Sequence, residues 1–155
     1  STTAISGDDV LGTDNNSIQV KTQYLAAPEV WVDDDYYNGG YNDGHIWGYD
    51  AFDDIQNGID NVTDNGVVHV KAGVYSVFNI IDRNDLLIEG FNGAVPISRG
   101  HQIVWDMAAA QYIRVIILIN NSKDIIITGF EFQGVDLSGR SVGVFFQLSS
   151  GFLVS

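Results

Sequence analysis

One pattern of eight residues recurs along this chain, and it constrains the fold more than any other feature. Asn84-Asp85-Leu86-Leu87-Ile88-Glu89-Gly90-Phe91 aligns with Lys123-Asp124-Ile125-Ile126-Ile127-Thr128-Gly129-Phe130, a step of 39 residues (123 − 84). The pattern starts again at Gly151-Phe152-Leu153-Val154-Ser155, 27 residues beyond Asp124 (151 − 124). Each copy places Asp or Gly before three apolar residues, and a small or polar residue follows. One such unit cannot bury its own apolar face, so it must stack on a neighbour. The steps suit coils of roughly 20–30 residues in a parallel stack, each coil adding a strand to the last. The longer step leaves residues 92–112 as a loop bulging between two coils.

The rest of the chain divides around one helical segment. Phe52, Ile55, Ile59 and Val62 recur at spacings of 3, 4 and 3, which predicts an apolar helical stripe. Asp50 is the expected N-cap, Asp53 and Asp54 sit where the helix dipole favours them, and Asn65-Gly66 is the expected stop. After Gly66 the pattern is short β-branched strands separated by Asn, Asp, Gly or Ser. Val30-Trp31-Val32 is a brief strand before a loop over residues 33–48, and Met107 to Gln111 fits a single turn. Residues 1–30 read as an extended polar arm with an alternating edge strand around Ile18 and Val20. Residues 31–155 form the second unit.

Composition narrows the partners. Twenty Asp and Glu against seven Lys and Arg give a formal charge of −13, which opposes nucleic acid and anionic lipid. The imbalance is local: residues 1–66 hold 13 acids and one base, Lys21, while residues 67–155 hold 7 acids and 6 bases. No apolar run approaches the roughly 18–20 residues of a membrane span. There is no cysteine, so disulfides and thiolate metal sites are out, though the compartment stays open. The start at Ser1, without Met or a charged-then-apolar leader, fits a processed or trimmed chain.

Phe52, Ile55, Gln56, Gly58 and Ile59, followed by Gly66-Val67-Val68-His69-Val70-Lys71-Ala72-Gly73-Val74-Tyr75, resemble the opening of right-handed parallel β-helix proteins of the pectate-lyase-like superfamily. In these a capping helix runs into a first strand and an Ala-Gly-x-Tyr turn. Val30 to Asp35 and Gly48 to Phe52 are similar to the lead-in of surface-exposed microbial members, and the resemblance covers about residues 30–155. It implies an all-β fold: a right-handed parallel β-helix with an N-terminal capping helix and an extended arm. The superfamily holds lyases, hydrolases, epimerases, tailspikes and non-catalytic surface proteins, so fold alone does not choose among them. Few coils, no recognisable site and an uncapped last strand favour a non-catalytic, extracellular or cell-surface structural module. That module would self-associate through its open C-terminal coil and N-terminal arm, end to end, into a filament. The alternative is a fragment of a calcium-dependent polysaccharide lyase, or a glycan-binding adhesin or tailspike.

Candidate site residues follow from residue type. Asp33, Asp34, Asp35 and Asp43 supply the oxygen donors calcium takes, without the spacing of an EF-hand; the other reading is a solvated acidic loop. No other cofactor is implied. Trp31, Tyr36, Tyr37, Tyr41 and Trp47 offer rings that stack on a polysaccharide, or else a cap that buries the helix. Arg99, His101 and Arg114 are the basic candidates for a sugar-cleaving site, and Asp106 with Asp136 the carboxylate pair; the other reading makes them ordinary loop residues. His45 and His69 lack a second His at ligand spacing, and His69 points outward from its strand. Asn15, Asn61 and Asn120 begin N-x-Ser/Thr acceptors, meaningful for glycosylation only if the chain is exported.

Overall fold

A computed structural model describes residues 26–133, 141–147 and 149–155. The expected arm over residues 1–25, with its edge strand, lies outside the described residues. The described chain is mostly β, arranged in parallel sheets that it visits in fixed rotation. The first sheet holds β1 (Ala27–Val32), β2 (Ala51–Phe52), β3 (Val62–Val70), β6 (Leu87–Gly90), β10 (Lys123–Thr128) and β13 (Ser150–Val154). The second holds β4 (Val74–Ser76), β7 (Ile97–Arg99) and β11 (Glu131–Gln133). The third holds β5 (Phe78–Ile81), β9 (Gln111–Asn120) and β12 (Ser141–Gln147), with β8 (Gln102–Asp106) paired antiparallel to β9.

The repeat steps are the strand registers. Leu87 lies opposite Ile126 (126 − 87 = 39), and Ile126 lies opposite Leu153 (153 − 126 = 27). The third sheet repeats both steps, with Phe78 opposite Ile117 and Ile117 opposite Val144. Register places like side chains over like. Val30, Val68, Ile88, Ile127 and Val154 form one inward column, and Ile80, Ile119 and Phe146 another. Val68, Ile88 and Ile127 are fully buried, each contributing about 1.5–3 kcal/mol. The middle apolar residue of each triplet faces outward, so Ile126 and Leu153 are exposed.

Each return to the first sheet passes through a left-handed residue. Asn65, Asp85, Asp124 and Gly151 have φ of 63°, 56°, 55° and 63°. Asn, Asp and Gly tolerate this conformation best, which explains the Asp or Gly that opens each repeat. The Asp124 carboxylate fills the space a Cβ on Gly151 would need.

Two expectations are corrected. The helix, α1, spans Ile55–Asn61 and is capped by Asp54, whose carboxylate accepts the Asn57 amide at 2.7 Å, not by Asp50. Ala51 and Phe52 are strand, because the Trp31 amide donates to Asp50 O (2.8 Å) and the Asp33 amide to Phe52 O (3.1 Å). Val62 already begins β3, so Asn65-Gly66 is a corner within that strand and not the helix stop. Residues 92–112 are not a loop bulge either. They include β7, which joins the second sheet, and β8, one arm of a β8–β9 hairpin. The expected turn after Met107 is the hairpin's tip, where Asp106 accepts the Ala108 and Ala109 amides.

Helix α1 lies flush on the first sheet through Gly58, where a Cβ would come within 2.8 Å of Val32 and 3.3 Å of Val68. The stacking makes a sharp forecast. Ile127→Ala should cost about 2–5 kcal/mol, against about 1 kcal/mol or less for outward Ile126→Ala. Asp124→Ala should be less stable than Asp124→Gly by about 1 kcal/mol, because only Gly relieves the left-handed backbone. Urea unfolding of the four variants reads both differences; equal costs at 126 and 127 would contradict the register.

Candidate functional site

The two ends of the sheet stack are built differently, and the polar residues account for the difference. At the end that carries α1, side chains occupy the strand edges. The Asn79 amide of β5 donates to Gln56 Oε1 (2.8 Å) and Gln56 Nε2 donates to Asn79 O (3.1 Å), so one side chain completes that edge as a strand would. The Val74 amide of β4 donates to Asp34 Oδ2 (3.2 Å). Arg83 donates to the Ile59 and Val62 carbonyls at the helix C-terminus and, through Nε, to Asp64 Oδ1 (3.0 Å).

The acidic loop belongs to this capped end. Asp33 Oδ1 accepts the Asp35 amide (3.0 Å), and Lys71 Nζ pairs with Asp43 and lies 3.5 Å from Asp33 Oδ2. The Tyr36 hydroxyl donates to Asp43 Oδ2 (3.0 Å). Among the described residues no group of three or more His, Asp or Glu could hold a metal ion. The carboxylates expected to gather calcium instead hold amides, a tyrosine and a lysine. Lys71 and Tyr36 keep the Asp43 carboxyl below the usual carboxylate range. The Asn84 amide and Arg83 do the same for Asp64.

The five aromatic candidates differ in burial and in ring partners. Trp31 is sandwiched between His45 (ring centroids 4.0 Å apart) and His69 (4.9 Å), and His69 meets Phe91 edge-on at 5.3 Å. His69 faces outward as expected, with Nδ1 3.0 Å from Glu89 and Nε2 3.7 Å from Glu29; His45 Nδ1 lies 3.1 Å from Asp50. Tyr36 is buried, Trp47 half-buried, and Tyr37 and Tyr41 are 64% and 79% exposed.

Arg99 sits on β7 and donates to Gln133 (2.9 Å), Arg114 sits on β9 in a different sheet, and His101 is exposed between β7 and β8. Asp106 is buried in the hairpin turn, and Asp136 lies outside the described residues. Asn61 is exposed at the end of α1 with its amide on Asn57 O (2.9 Å). The Asn120 acceptor is folded into the wall: Oδ1 is buried without a partner among the described residues, and Ser122 donates to Asn120 O (2.9 Å). Asn15 lies outside the described residues.

The opposite end carries no such caps among the described residues. Strands β11, β12 and β13 are the outermost of their sheets. Beneath them Phe130, Phe132, Val144, Phe146 and Val154 are only partly buried against the core. Phe152 stacks on Phe146 at 3.6 Å yet remains 48% exposed, and Leu153 is 55% exposed. Gly129 N donates to Ser155 O and Ser155 N to Ile127 O, each at 2.9 Å, so Ser155 faces β10. By the alternation of a parallel ladder, the backbone groups of Phe152 and Val154 then point away, along the free edge. Sequence reasoning missed Gln56, Asp34 and Arg83 as the devices closing the other end.

Gln56→Ala should cost about 1–3 kcal/mol by leaving both backbone groups of Asn79 unpaired, and should speed hydrogen exchange at the Asn79 amide. No change in either would remove the capping role. The pH response follows from the tyrosines. Burial, with Asp43 accepting its hydroxyl, pushes Tyr36 from 10.0 up to about 12, and burial beside Asp34 also raises Tyr75. The unfolded chain gives up these protons first, so their stabilisation is complete below pH 10 and is lost as pH rises toward about 12. Thermal melts of Tyr36→Phe should show a shallower alkaline decline than the parent. Asp43 and Asp64 act oppositely: their contribution is present above their ordinary value of 3.8 and fades on further acidification.

No protein-family model, curated protein or solved structure matches the chain.

Proposed function

We propose that this chain is a non-catalytic structural module of an exported surface protein, wound as a right-handed parallel β-helix, which assembles by strand addition at its open edge. The single observation carrying this reading is the asymmetry of the ends. Gln56 and Asp34 satisfy backbone groups of β5 and β4 at one end, while at the other, among the described residues, β13 is the outermost strand, beside exposed Phe152 and Leu153. An exposed strand edge over apolar side chains is a template for another strand. The winding is supported by the rotation among three parallel sheets and by steps common to the first and third. The exported placement rests on the resemblance of residues 30–155 to surface-exposed parallel β-helix proteins. The way polar residues are used also supports a structural role, since the carboxylates of Asp33, Asp34, Asp54 and Asp106 accept backbone amides.

Light scattering across a concentration series, with negative-stain imaging of the same sample, tests the reading. A defined oligomer or ordered fibres are expected. A single-chain mass at every concentration would overturn assembly through this edge. Cleavage of pectate or alginate in the presence of calcium, read as a rise in unsaturated-sugar absorbance, would overturn the non-catalytic part.

A further inference from the structure

We infer that the β8–β9 hairpin is a lipid-binding element, whose tip and outer face settle into the surface of a zwitterionic bilayer. The alternation of two paired strands gives the hairpin unlike faces. Val104 and Asp106 of β8, with Ile113 and Val115 of β9, lie on the inner face and are half-buried or buried. Ile103, Trp105 and Met107 alternate with them on the outer face, where Tyr112 lies opposite Trp105. Met107 is 59% exposed and Tyr112 69%, and the rings of Trp105 and Tyr112 meet edge-on at 4.9 Å, so the outer face is one continuous apolar surface. A lone exposed apolar side chain is ordinary, but a contiguous group of them marks a contact surface.

Three observations select lipid as the occupant. The first is the order of polarity along the hairpin. Met107 and Ala108 to Ala110 at the tip are exposed and uncharged. The Trp105–Tyr112 pair comes next, and an indole N–H and a phenol O–H suit the boundary between hydrocarbon and headgroups. Arg114, opposite Ile103, is the first charged side chain on this face. At about 3.4 Å per residue the aromatic pair lies within roughly 10 Å of the tip, the depth that interfacial elements reach. The second is the backbone. A turn that enters an apolar phase must satisfy its own amides, and Asp106 accepts those of Ala108 (3.0 Å) and Ala109 (3.1 Å). The third is fit. A stable protein interface takes about 20–30 residues a side, far more than this face holds. The two rings are inclined by 69°, so they do not form the flat platform on which successive sugar rings stack. A bilayer surface conforms to the tip as it stands. The formal charge of −13 turns the chain away from anionic lipid, which leaves a zwitterionic surface.

The chain has no cysteine, so a dye on a single introduced cysteine reports on one place. Met107→Cys at the tip and Tyr41→Cys, exposed in the acidic loop, each carry an environment-sensitive dye and are mixed with phosphatidylcholine vesicles. The parent chain should float with the vesicles, and the dye at 107 should shift to the blue while the dye at 41 does not. Adding phosphatidylglycerol to the vesicles should weaken binding. Met107→Asp, and separately Ala109→Asp, change exposed side chains at the tip and should each weaken flotation about tenfold or more. Failure of the parent to float at any lipid concentration would overturn the lipid contact, as would flotation that neither substitution reduces. So would binding of an oligosaccharide that Trp105→Ala abolishes, with vesicles left unbound. Vesicle binding by a chain that keeps a single-chain mass would support the lipid contact while removing assembly.

Discussion

The rest of the structure depends on a constraint on backbone dihedrals at one corner. Each time the chain re-enters the first sheet it must arrive in register, because a slip of one residue would turn Ile88 and Ile127 outward and Leu87 and Ile126 inward. The left-handed residues Asn65, Asp85, Asp124 and Gly151 set that entry, and the amides of Asn65 and Asp85 donate to the carbonyls of Asn84 and Lys123 on the next pass. A corner that fixes its own direction and ties itself to its neighbour allows the chain between corners to vary. Steps of 20, 39 and 27 residues (85 − 65, 124 − 85, 151 − 124) coexist in one sheet for that reason, the longest one accommodating the β8–β9 hairpin.

This corner is also why so much of the fold was legible. A left-handed turn before an apolar strand restricts the residue to Asp, Asn or Gly, and the restriction survives as a repeated letter. What failed to show had equally physical causes. Phe52 and Val62 extend the spacing of Ile55 and Ile59 because strand and helix residues bury against one core, so a helical stripe was counted across three elements. The hairpin was hidden because its tip is Ala108-Ala109-Ala110, with Ala110 at φ 53°, where a Gly or Asn is the usual signal. Gln56 and Arg83 meet their partners only through the tertiary fold, and no local spacing marks a side chain that stands in for a strand.

The acidic loop carries a related lesson about function. Three consecutive aspartates and a fourth nearby invite a cation, but a carboxylate is also a good acceptor for a stray amide. Near strand ends and corners, stray amides are plentiful. Asp33, Asp34 and Asp43 are taken up by Asp35, Val74, Tyr36 and Lys71. Likewise Trp31, one of the five rings offered to a sugar, stacks against the imidazoles of His45 and His69.

The unequal ends have a consequence for how the molecule comes apart. Strand pairing links each pass to its neighbours in the sheets, so the outermost strands have fewer partners to resist opening than the inner ones. At one terminus α1, Gln56 and Arg83 fasten the outermost layer; at the other, among the described residues, β13 pairs with β10 alone. Thermal opening therefore peels from β13 inward, and the layer around Val68 and Ile88 is the last to yield. The molecule is a zipper with one stop sewn in.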